Sequence, residues 1–154
     1  MKKLKLIFLI ISYLFGSSQS FSLKSIINPY SYYVLAVQNW CSDDYKIHGL
    51  WPQYNHNKWP SYCENTNFKE PSGELLQEME NYWNTCGSND LWKHEWQKHG
   101  SCVEKFLGLK ENEYFEKTLE LYKKNIDSIN ENCNGEKNCY KNCFDLDFNK
   151  MDCP

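Results

Sequence analysis

Tyr32-Tyr33-Val34-Leu35-Ala36-Val37 is the stretch from which the fold can first be read, and Lys46-Ile47-His48-Gly49-Leu50-Trp51-Pro52 follows it after a short gap. The first is an unbroken run of aromatic and aliphatic residues, which predicts a core strand. The second is a shorter apolar run, expected to stop at Pro52 because proline cannot donate to a sheet ladder. Residues 53–71 are rich in Asn, Lys, Ser and Pro and read as a long surface loop, the kind of segment that often carries function. Helical spacing then takes over. Leu75, Leu76, Met79, Tyr82 and Trp83 recur with that period behind a cap at Ser72. Asp90 is the expected N-cap of a helix running through Trp92, Trp96 and His99 and ending near Gly100. Asn112 is the expected cap of a longer helix with Phe115, Leu119, Tyr122, Ile126 and Ile129 along one face. Cys143 to Phe148 suggests a last short strand.

At the other end of the chain, Lys2, Lys3 and Lys5 precede an apolar run from Leu6 to Phe15. Gly16, Ser17, Ser18, Gln19 and Ser20 form a small-residue cleavage zone, with Ser18 and Ser20 where a signal peptidase would read. This is the pattern of a secretory signal peptide over residues 1–20, too short and wrongly flanked for a membrane span. Residues 21–154 contain no internal repeat or linker and read as one domain. Removing residues 1–20 takes away three lysines and no acid, which moves the formal net charge from −3 to −6. Such a domain does not hold a polyanion by a broad basic field. Every basic residue is Lys and none is Arg. Phosphate would be met by ammonium, imidazolium or backbone N–H rather than by a guanidinium fork.

All eight cysteines (41, 63, 86, 102, 133, 139, 143 and 153) lie beyond the leader. An even count in a small secreted domain predicts four disulfides, with about 105 connectivities open. Zinc on Cys139 and Cys143, at C-x-x-x-C spacing, is disfavoured in an oxidising compartment.

Three of the four histidines fall in two dense segments, Ile47-His48-Gly49-Leu50-Trp51-Pro52 and His94-Glu95-Trp96-Gln97-Lys98-His99-Gly100-Ser101-Cys102. At about 100° per residue, Lys98 lies about 40°, Glu95 about 100° and His99 about 140° from His94 around a helix. Two imidazoles, a carboxylate and an ammonium therefore share one broad face, while Trp96 points toward packing. A solvated charged face would not need histidines. A zincin His-Glu-x-x-His site is also disfavoured, because these histidines are five apart and Lys98 stands where a cation would sit.

These two segments strongly resemble the active-site segments of the ribonuclease T2 family of secreted acid ribonucleases. The likeness extends to Tyr33–Trp40, to Trp59-Pro60-Ser61-Tyr62-Cys63, to Tyr114-Phe115 through Leu121, and to Cys143 through Pro154, so that most of residues 32–154 is covered. The resemblance implies an α+β fold: a central antiparallel sheet flanked by several helices, stapled by disulfides and shortened relative to the family after Ile129. It implies an endoribonuclease that cleaves single-stranded RNA by transphosphorylation through a 2′,3′-cyclic phosphate. No cofactor or metal is expected. The protein would be a monomer, off the membrane once its leader is cleaved, and either secreted or held in an acidic lysosomal or vacuolar lumen.

The chemistry suits the residues. RNA carries its own nucleophile, so one group must take the 2′ proton, another must protonate the departing 5′ oxygen, and charge on phosphorus must be met. Histidine suits both transfers, with an ordinary pKa of about 6.5. By resemblance His99 is the general base, His48 the general acid, Lys98 and Glu95 stabilise the phosphorane, and His94 positions the phosphate. Trp51 and Trp59 match positions that stack on a base. Gln53 stands where relatives often carry a carboxylate that reads a base edge, which relaxes or alters specificity. His56 matches no family position and reads as a solvated loop histidine. The resemblance also pairs Cys63 with Cys102, Cys143 with Cys153 and Cys41 with Cys86. Cys133 and Cys139 are left over, their pairing open, because Cys133 resembles a family cysteine whose usual partner lies beyond Pro154. The alternative class is a catalytically silent storage or RNA-binding protein on the same scaffold.

Overall fold

A computed structural model describes residues 28–83, 86–87 and 90–154. The expected signal peptide, residues 1–20, lies outside them. In chain order the elements are β1 (Tyr32–Gln38), β2 (Lys46–Gln53), α1 (Gly73–Tyr82), α2 (Asp90–Glu95), a π-helical turn (Trp96–Gly100), α3 (Ser101–Leu107), α4 (Glu111–Cys133), β3 (Asn138–Cys139), β4 (Cys143–Phe144) and β5 (Lys150–Met151). All strand pairings are antiparallel, in the order β2-β1-β4-β5, with β3 joining the same edge of β1 as β4. The α+β architecture is the expected one.

β1 lies at the centre, and its unbroken apolar sequence has a direct cause. Tyr33, Leu35 and Val37 enter the main core with Leu50, Trp83, Phe115 and Leu119, whereas Tyr32 and Val34 pack on the opposite face with Cys143 and Met151. A strand covered on both faces reads as continuous rather than alternating.

Several boundaries differ from expectation. Pro52 does not end β2 but sits inside it, opposite Tyr33. β2 is an edge strand, where a missing donor costs no ladder bond. Gly100 does not cap a helix: its backbone is right-handed helical, the chain continues through α3, and Gly108, at φ +72°, terminates it. Gly100 is instead a packing requirement, since a Cβ there would lie 2.2 Å from the Trp96 ring. Asp90 is the first helical residue rather than the cap. For α4 the cap is Lys110, not Asn112, with Glu113 accepting from the Lys110 backbone N–H at 2.7 Å. The expected strand from Cys143 to Phe148 is only two residues long, because Asp145 closes a turn by accepting from the backbone N–H groups of Asp147 and Asn149.

Four disulfides join Cys41–Cys86, Cys63–Cys102, Cys133–Cys139 and Cys143–Cys153. Among the described residues no helix is long and apolar enough to cross a membrane.

Candidate active site

β2 and the segment from α2 to α3 meet at a buried carboxylate. Glu95, 1% exposed, accepts a 2.7 Å hydrogen bond from the Trp51 indole N–H and lies 3.4 Å from His48 Nε2. Gly49 makes room for it: a Cβ there would fall 2.0 Å from Glu95 Oε2. The glycine of the first segment is thus explained by the carboxylate of the second.

His48 owes its direction to an irregularity. Ala36 faces Gly49 and Val37 faces Ile47, so His48 is the extra residue of a β-bulge. Bulges re-aim side chains and are over-represented beside active sites. The His48 carbonyl accepts from the buried Trp83 indole at 2.8 Å, and the Trp83 carbonyl accepts from Trp92 at 2.8 Å. α1 and α2 therefore hold the bulge from behind.

His99 is supplied by the π-helical turn, a wide turn frequent at functional sites. Its ring is 2% exposed and stacks on Trp51, with centroids 5.1 Å apart at 24°. His48 approaches the same indole edge-on at 5.3 Å. Two imidazoles from distant segments thus flank one tryptophan and one carboxylate. The Nδ1 atoms of both are buried without a hydrogen-bond partner among the described residues. Burial pushes the His99 pKa down to about 4; Glu95 opposes that shift, while Lys98, His94 and His48 add to it. His99 is accordingly neutral at ordinary pH and able to accept a proton.

An open cleft of about 450 Å³ lies beside Trp51 and His99, with Gln53, His56, Trp59, Lys98 and Tyr140 also around it; His48 and Glu95 stand behind Trp51, outside its lining. Tyr32 and Val34 contribute to its floor, because Gln53 pairs with Tyr32 and Trp51 with Val34, on one face of the sheet. The 62–67 loop is pinned to the π-helical turn beside it. Tyr62 N–H donates to the Lys98 carbonyl at 2.8 Å, Gln97 donates to the Thr66 carbonyl at 3.2 Å, and Cys63–Cys102 closes the join.

Of the residues singled out in the sequence, His48, Trp51, Glu95 and His99 come together, with Lys98, Gln53 and Trp59 along the cleft. His94 is exposed and outside the cleft lining. On the helical wheel Glu95 and His99 lie about 40° apart and His94 about 100–140° from them; the structure buries the Glu95/His99 side and leaves His94 on the outer side. His56 is exposed, as expected, yet it lines the cleft. Tyr140 also reaches the cleft, although no motif in its neighbourhood marks it. Among the described residues no group of three or more His, Cys, Asp or Glu is arranged to hold a metal ion.

The profile of the ribonuclease T2 family matches residues 29–144, which include both histidine segments. The chain belongs to the ribonuclease T2 family. Family relatives include ribonuclease 3 of Arabidopsis thaliana, 40% identical over 88 residues, covering 53% of this chain and 39% of that protein. Extracellular ribonuclease LE of Solanum lycopersicum is 39% identical over 93 residues, covering 56% and 40%. Human ribonuclease T2 is 37% identical over 99 residues, covering 56% and 36%. The matched part therefore spans well under half the length of these T2 relatives. Among solved structures, Japanese pear S3-RNase superposes with a TM-score of 0.54 at 26% identity, over 68% of this chain and 61% of that one. A tyrosine-to-alanine mutant of RNase MC1, a ribonuclease from the seeds of bitter gourd, was solved in complex with 5′-UMP; it gives 0.56 at 18% identity, over 68% and 62%. That second likeness is one of fold.

Proposed function

We propose that this protein is a metal-independent endoribonuclease that cleaves single-stranded RNA by transphosphorylation. The observation that carries the proposal is the meeting of His48 and His99 around Trp51 and the buried Glu95. Family membership supports the same chemistry, and the 5′-UMP bound to the RNase MC1 mutant supports a nucleotide in such a cleft.

His99, neutral because it is buried, takes the proton of the 2′-OH as that oxygen attacks phosphorus. His48 gives its proton to the 5′ oxygen as the P–O5′ bond breaks. The products are a 2′,3′-cyclic phosphate and a free 5′-OH, and the same pair with exchanged roles can hydrolyse the ring. Lys98, lining the cleft, stabilises the charge that builds on phosphorus. Glu95 is too deeply buried to meet substrate broadly; it orients His48 and Trp51. His94, being exposed, acts on the phosphate only from outside the cleft. Trp51, Gln53 and Trp59 supply the base site. No metal is required, because substrate provides the nucleophile and histidines move both protons. The protein works as a monomer, secreted or in an acidic lysosomal or vacuolar lumen. Its relatives include ribonucleases named extracellular and intracellular.

The test is incubation of the oxidised protein with homopolymeric RNA at acidic to neutral pH, with and without EDTA. Cyclic-phosphate ends should form equally in both, and DNA should survive because it lacks the 2′-OH. His48→Ala and His99→Ala should each lose several orders of magnitude in turnover. Intact RNA throughout, or wild-type rates in either variant, would overturn the proposal.

A further inference from the structure

Tyr140 lines the cleft but has no part in the scheme above. Its ring is 47% exposed, and Trp59 on the same cleft is 53% exposed. It lies 5.2 Å from the Trp51 ring at 36°, so it and His99 both adjoin the same indole and the same cleft. Its backbone is tightly held. The preceding Cys139 pairs with Val37 of β1 and is bonded to Cys133. Two residues later, the Asn142 carbonyl accepts from Leu35 N–H at 2.8 Å. A large ring presented on so constrained a segment binds at low conformational cost. Tyr32, Val34 and the Cys143–Cys153 bridge add apolar surface around it. Trp51, also placed in the base site, has its N–H given to Glu95 and its ring against His99, so Tyr140 adds a ring free of both.

We propose that Tyr140 is a substrate-binding residue whose ring stacks on the base of the nucleotide that carries the attacking 2′-OH. This rests on the ribonuclease reading, in which His99 takes the 2′ proton. The ribose then lies against His99, and its base extends past Trp51 to the exposed ring of Tyr140. Stacking accepts any base because each has a π-face. Tyr140 therefore supplies affinity, and choice among bases is left to Gln53.

Calorimetric titration of the oxidised protein with 3′-UMP, whose phosphate stands on the ribose that carries the attacking 2′-OH, and with ribose 3-phosphate tests this in the wild type, Tyr140→Phe and Tyr140→Ala. Tyr140→Ala should weaken 3′-UMP binding roughly 5- to 150-fold, as loss of one stacked base does. Tyr140→Phe, which keeps the ring, should bind as the wild type does, and ribose 3-phosphate should not distinguish the three. Unchanged 3′-UMP affinity in Tyr140→Ala overturns the proposal. So does an equal loss for both ligands, the mark of a structural role, or an absence of 3′-UMP binding to the wild type. In cleavage, the Tyr140→Ala penalty in kcat/KM should vanish for a dinucleotide whose 5′ residue is abasic. A penalty that persists there, or that vanishes only when the 3′ residue is abasic, also overturns it. If 3′-UMP binding depends on Tyr140 while RNA is left intact, the ribonuclease reading falls and the stacking role stands.

Discussion

Gly49 and Glu95 are coupled by simple exclusion. A methyl group at position 49 would stand 2.0 Å from Glu95 Oε2 and 2.6 Å from the Trp51 indole nitrogen. Gly49→Ala must therefore push the carboxylate off both His48 and Trp51. Misplacement of about 1 Å costs on the order of 100-fold in rate, and a loss of that size in kcat/KM is expected from steady-state kinetics, with disulfides and circular dichroism unchanged. His99 makes the second prediction at this scale. Its pKa is lowered to about 4, chiefly by burial, so the base form is present above that pH and is lost as pH falls through it. The acid limb of kcat/KM should lie near 4 rather than at the ordinary histidine value, and rates should fall again as pH rises and the proton donor is lost. The His99 ring protons followed by NMR should titrate with the same low midpoint.

Both proposed proton-transfer residues stand on irregular elements. His48 is the extra residue of a bulge in β2, and His99 lies in the π-helical turn between α2 and α3. Without the bulge the His48 ring would have been aimed elsewhere. The bulged strand is also an edge, and α4 covers it. The Tyr114 hydroxyl donates to the Leu50 carbonyl at 3.1 Å and accepts from Leu50 N–H at 3.3 Å, replacing a missing neighbour strand. Burial, with Glu95 nearby, raises the Tyr114 pKa well above its ordinary value, so the hydroxyl keeps its proton. Tyr114→Phe retains the packed ring but leaves a buried N–H and C=O unpaired. A loss of about 1–3 kcal/mol in unfolding free energy is expected, read from urea denaturation.

At the level of the whole molecule, one sheet separates two environments. The core fills one face of β1, and the cleft floor is built from residues of the other, Tyr32 and Val34. The chain carries a formal net charge of −3 and no arginine, so the proposed RNA substrate would be drawn in by few cations. Beside the neutral His99, Lys98 and His56 are the basic side chains that line the cleft. For single strands, log affinity falls with log salt by about 0.7 per neutralised phosphate. The slope of log kcat/KM against log salt should therefore lie between about −0.7 and −1.4. A much steeper slope would mean that a wider basic surface takes part.

Much of this is legible along the chain. β1, the helix behind Ser72, and the apolar face of α4 follow from local periodicity, because the period of burial depends only on backbone geometry. The two histidine segments are legible as chemistry, because imidazole, ammonium and carboxylate so close together have few other uses. Gly100 and Pro52 mislead. A glycine can serve close packing as well as a cap, and a proline is harmless on an edge; the neighbours that decide lie far away in the chain. The direction of His48, the inward turn of Glu95 and His99, the outward place of His94, the pairing of Cys133 with Cys139, and the arrival of His56 and Tyr140 at the cleft belong to the tertiary structure alone. The sequence by itself determined which elements form and which reactive groups are present. Which of those groups face one another was decided only by hydrogen-bond register and packing between distant segments, since a single inserted residue or a widened turn redirects a side chain without leaving a mark in the local pattern.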